Sequence, residues 1–74
     1  MHPATAAILR HFEYSHLPEH LREVSRPFCE LAKDLIAVHE LEGPELTAAL
    51  RKLLEAKDCA VRAAIEKRTA VART

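Results

Sequence analysis

Apolar residues recur along this chain at helical spacing, and three stretches follow from that. Ile8, Leu9 and Phe12 sit close together on a 3.6-residue wheel, so residues 4–13 are predicted as a short helix that Thr5 or the His2-Pro3 pair starts. Leu21, Val24, Phe28, Leu31, Leu35 and Val38 alternate three and four apart, a heptad-like seam that predicts a long helix from Pro18 to His39. Leu46, Leu50, Leu53, Leu54, Ala60, Val61, Ala64 and Ile65 share a face in the stretch Gly43 to Val71. With Ala49, Ala56 and Ala63 that face widens to roughly 200°, more than the ~100° stripe one neighbour needs. The last helix is therefore expected to pack on more than one side.

Breakers place the ends. The residue before a proline is driven out of the α region, so the first helix should end by Leu17, and Pro18 with Glu19 opens the second. Pro27 costs a backbone hydrogen bond and crowds the carbonyl of Glu23. The seam keeps its phase across it, which predicts a kink rather than a break, with Ser25 as the cap if the helix does break. His39 to Pro44 forms a connector in which Gly43 supplies turn freedom and Pro44 begins the last helix. So short a connector makes the two long helices antiparallel neighbours. From Lys67 to Thr74 the periodicity fades, and the tail is expected to fray. The predicted fold is all-α, one domain over residues 1–74: a short helix, then a hairpin of a kinked long helix and a second long helix.

Size and charge narrow the function classes. A chain of 74 residues buries a modest fraction of its surface, and self-association is a common remedy. The 11 basic and 11 acidic residues cancel, which argues against a duplex nucleic-acid binder but leaves room for a small anion held by a local cluster. Cys29 and Cys59 form no C-x-x-C pair and read as small buried or half-buried apolar residues. There is no signal-peptide pattern and no apolar run of membrane-spanning length, so a soluble intracellular protein is expected.

Few residues offer chemistry. His16 and His20 are four apart but straddle Pro18, and no Cys or acidic residue completes a zinc spacing, so no metal is expected. No cofactor motif is present, and helices this few rarely build a catalytic cleft; the chain is read as a non-enzyme. On the second helix Arg22, Arg26 and Lys33 fall on one flank, and Glu19, Glu23, Glu30 and Asp34 on the other. That sorting suits either a subunit contact or an anion site. Lys57 lies inside the apolar arc between Leu53 and Val61, so its ammonium must snorkel to water or meet a carboxylate or a ligand anion. Arg62 has Asp58 and Glu66 four residues away on either side, which suits an exposed ion-pair row; a guanidinium also grips phosphate in two places at once. Tyr14, after the first helix, either plugs the end of the hairpin or stacks on a nucleobase.

Two segments carry a resemblance: Tyr14-Ser15-His16-Leu17-Pro18-Glu19 before the second helix, and the run from Leu53 through Arg62 to Ala64 in the last. Together with the hairpin layout they resemble the bacteriophage anti-CBASS sponge family, whose hairpin is shared with anti-Thoeris sponges. The resemblance implies a compact homo-oligomer, typically a hexamer, acting in the host cytoplasm. Such proteins sequester cyclic dinucleotides between paired subunits and, in some members, cyclic trinucleotides at three-fold positions, without cleaving them. Carried over by position, Tyr14 and either Arg26 or Lys33 would serve the base pocket, and Arg62 a symmetric phosphate cluster; Lys57, from its own place in the apolar arc and not from the resemblance, is a candidate phosphate or base contact at a subunit boundary. The alternatives are a helical module that inhibits or scaffolds another protein with no small ligand, and a weak nucleic-acid-binding regulator.

Overall fold

The computed structural model describes residues 2–73, with side chains through residue 69, and contains three helices: α1 (Pro3–Arg10), α2 (Glu19–Ala37) and α3 (Pro44–Arg73). Among the described residues there is no strand. His2 caps α1, its Nδ1 accepting from the Ala4 N–H at 3.1 Å, and Pro3 takes the first helical position, where it has no N–H to waste. α2 follows Pro18, whose carbonyl accepts from the N–H groups of Leu21 and Arg22. It runs unbroken through Pro27, so Ser25 caps nothing and is instead buried.

The connector resolves the end of α2 by a left-handed residue. Glu40 has φ +53°, and the Leu41 N–H reaches back to the Leu35 carbonyl at 3.0 Å, closing orphan acceptors of the last turn. Gly43, at φ +96°, then turns the chain into Pro44. α3 is longer than the periodicity suggested. Lys67 to Arg73, expected to fray, continues the helix; Thr74 lies outside the described residues. These residues include good helix formers and contain no Gly or Pro, while Lys67 and Arg68 near the C-terminal end favour the helix dipole. At 1.5 Å per residue a helix of this length spans about 45 Å, which matches the molecule's 47 Å long axis.

α2 and α3 form the hairpin and α1 lies against it, mainly on α3. The core is Phe12, Cys29, Ala32, Leu46 and Leu50, with Ile8, Leu9, Phe28, Leu35, Leu53 and Leu54 packed around it. The seam of α2 differs from the heptad reading. Its buried residues are Leu21, Ser25, Cys29 and Ala32, whereas Leu31 is 47% and Val38 66% exposed. The buried stripe is centred roughly 85° round the wheel from the heptad seam, toward the small side chains. Small residues admit a closer neighbour, so α3 settles on them and the larger apolar row becomes a flank. Cys29 is buried as read, but Cys59 is exposed. On α3 the face is narrower than its apolar arc: Leu46 and Leu50 are buried, Leu53, Leu54, Ala60, Val61 and Ala64 half-buried, and Ala49, Ala56, Ala63 and Ile65 exposed.

The exposed residues define a side. On α2 the buried stripe is bordered by Arg22, Arg26 and Lys33 in one direction and by Val24, Leu31 and Val38 in the other. Tyr14 stands with Arg22 and Arg26, so the α1–α2 turn lies on the basic side. On α3, Leu54 packs inward and Ala49, Ala56 and Ala63 face the opposite direction. Running the two wheels antiparallel puts these alanines beside Val24, Leu31 and Val38. One side of the hairpin is thus covered by α1, and the other is an open apolar surface.

Candidate functional site

The turn between α1 and α2 carries Tyr14 and adjoins the charged first turns of α2. α1 ends in tight turns, with Phe12 N–H bonded to the Leu9 carbonyl at 3.0 Å and Glu13 N–H to Arg10 at 3.3 Å. Phe12, 1% exposed, anchors this end in the core. Tyr14 follows, half-buried and packed on the core edge, and its carbonyl accepts from Leu17 N–H at 3.1 Å. The ring therefore packs against the core while part of it stays exposed.

Beside it, Tyr14, Glu19, Arg22, Glu23 and Arg26 line a shallow cleft of about 230 Å³. Of the expected site residues, Tyr14 and Arg26 meet here; Lys33, Lys57 and Arg62 are not in its lining. Arg22 joins them. The two charge flanks of α2 are not separate surfaces: they adjoin, Glu19 and Glu23 enter the cleft, and Arg26 pairs with Glu30 at 3.8 Å. That pair is well exposed and holds Arg26 only weakly. A second, larger groove of about 800 Å³ opens at the hairpin end, where His2, Thr5, Ile36, Leu41, Leu46 and Thr47 are among its walls. Its charged lining, Glu40 and Glu42, is acidic, which suits no phosphate.

Lys57 is already engaged. Its side chain is 12% exposed, and Nζ donates to the His11 carbonyl at 3.0 Å and meets Asp58 Oδ1 at 3.1 Å. The ammonium satisfies an acceptor at the C-terminal end of α1, where a positive charge is favoured. It ties α1 to α3 and answers the cost of a lysine inside an apolar face. Arg62 is exposed, and its guanidinium donates to Cys59 Sγ at 3.3 Å. Among the described residues no ion pair joins it to Asp58 or Glu66, so the expected charge row is not formed. Asp58 meets Lys57 instead.

One residue of the site was not singled out from sequence. Glu13 Oε1 accepts from two backbone N–H groups, Tyr14 at 2.9 Å and Ser15 at 3.0 Å. Its carboxyl is held below the ordinary value by the Ser15 N–H first, then the Ser15 hydroxyl and the Tyr14 N–H, with a smaller contribution from the charge of Lys33. The signal available was an acidic residue directly before a turn whose N–H groups leave the helix without partners. Among the described residues no group of three His, Cys, Asp or Glu is placed to hold a metal ion. Among the described residues no helix is long and apolar enough to cross a membrane.

The chain matches no family model, no characterised protein and no solved structure. The functional reading accordingly rests on the residues themselves and on the resemblance carried by the Tyr14 turn and the Arg62 segment.

Proposed function

We propose that this chain is a non-catalytic binding protein that sequesters cyclic oligonucleotide signals, as the anti-CBASS sponges it resembles do. The observation that carries the reading is the placement of Tyr14 beside Arg22 and Arg26. An aromatic face for a base and guanidinium groups for phosphate are the two elements a cyclic dinucleotide requires. At about 230 Å³ the cleft is smaller than the ~300–1,000 Å³ of ordinary small-molecule sites. A second subunit would complete it, and the open apolar side offers the surface on which copies would assemble, toward the hexamer of the resembling family. Arg62, outward on α3, would then gather with its symmetry mates around a cyclic trinucleotide. The host cytoplasm is where such a signal would be met.

The test is calorimetry and thermal shift with cyclic di- and trinucleotides on wild type, Tyr14→Ala and Arg62→Ala. Loss of a base-stacking face costs roughly 1–3 kcal/mol, or about one to two decades in Kd. Tyr14→Ala should therefore weaken the dinucleotide and spare the trinucleotide, and Arg62→Ala should do the reverse. Ligand recovered unchanged from the denatured complex would separate binding from turnover. A wild type that is monomeric and binds neither ligand would refute the proposal. The exposed Leu31 and Val38 would then favour the second reading, a helical module that docks on another protein.

A further inference from the structure

We infer that Glu13 is the residue that positions Tyr14; the consequence for binding rests on the function proposed above, while the effect on Tyr14 itself does not. Tyr14 stands between two helices, where the regular hydrogen-bond ladder is missing. Two contacts hold its backbone: its carbonyl accepts from Leu17 N–H, and its N–H donates to Glu13 Oε1 at 2.9 Å. The same carboxylate oxygen accepts from Ser15 N–H at 3.0 Å. Two N–H groups converging on one oxygen make a small anion nest, and Glu13 fills it from within the chain. Charge-assisted bonds of this kind are the stronger class. Without the carboxylate both N–H groups turn to water, and the turn that fixes the direction of the Tyr14 ring loosens.

Glu13 does not line the cleft that Tyr14 shares with Arg22 and Arg26, so its part is to hold the turn rather than to meet a ligand.

The chain has one tyrosine and no tryptophan, so its intrinsic fluorescence reports on Tyr14 alone. Glu13→Ala should lower the anisotropy of Tyr14 and raise its quenching by acrylamide, with helix content by circular dichroism unchanged. Glu13→Gln keeps an acceptor oxygen and should restore most of the wild-type signal. With a cyclic dinucleotide as probe, Glu13→Ala should bind about tenfold more weakly, a share of the full stacking loss. Unchanged Tyr14 fluorescence in Glu13→Ala overturns the inference. So does tighter ligand binding by that variant, which would make Glu13 a competitor for a phosphate nest. A wild type that binds no dinucleotide removes the proposed function, and the fluorescence comparison still decides the role of Glu13.

Discussion

Replacing Lys57 separates a lysine that holds the fold from one that holds a ligand. Its ammonium donates to the His11 carbonyl at 3.0 Å from a side chain that is only 12% exposed. A hydrogen bond from a charged group is worth about 1.5–3 kcal/mol. The Asp58 contact, at 3.1 Å, adds little, because that carboxylate is about half exposed and solvent screens the pair. Lys57→Met keeps the apolar stem and removes the bond, so a loss of about 1–2 kcal/mol is expected once better burial of the methionine is offset. Lys57→Ala also strips three methylene groups at ~0.8 kcal/mol each and has no methionine burial to offset the lost bond, for a total of about 4–5 kcal/mol. A chain of this size has roughly 4–11 kcal/mol to lose, at ~0.05–0.15 kcal/mol per residue. The alanine variant should therefore sit near the edge of folding. The methionine variant should melt lower by about 4–8 °C for each kcal/mol. The assay is urea and thermal unfolding at one fixed protein concentration, since self-association would make stability concentration-dependent. Calorimetry with a cyclic dinucleotide runs beside it. A methionine variant within about 0.5 kcal/mol of wild type, with ligand binding lost, would refute the tether and return Lys57 to the ligand.

Two further outcomes follow from the open side and from the Tyr14 turn. Leu31→Lys with Val38→Lys touches no buried residue, so it should leave the helical content intact; it should shift the light-scattering mass to that of the monomer, and an unchanged oligomer mass would show that this side is not the contact. Glu13 has a folded value below its ordinary 4.5, so its contribution to stability is present above that range and is lost as pH falls through the lowered value. Wild type should accordingly lose more stability than Glu13→Gln when urea unfolding is followed from neutral pH to well below 4.5, and equal losses would contradict the sign.

Much of the architecture was legible because its causes are local. The capping His2-Pro3 pair, Pro18 ahead of α2 and the Gly43-Pro44 step each act within a turn of their own position. Helical continuity through Pro27 was also legible, because an apolar phase that survives a proline leaves the flanking turns something to pack against. Tyr14 and Arg26 were legible as candidates, being an aromatic and a guanidinium where helices begin.

What only the tertiary structure decided is which way each helix faces. The wheel of α2 offers two stripes, a large apolar one through Val24, Leu31 and Val38 and a small one through Ser25, Cys29 and Ala32. Periodicity favours the first, because transfer energy grows with apolar area. Packing chose the second, because close approach of α3 needs small side chains at the contact, and that choice left the larger row open. The fate of Lys57 was equally hidden. Its partner, the His11 carbonyl, lies 46 residues away in the chain, and no local rule pairs an ammonium with a helix end so remote. The two bonds to Glu13, by contrast, span one and two residues and were within reach of local reasoning. Sequence determines which groups are present and which short segments hold them; the assembled helices determine which of those groups already have partners.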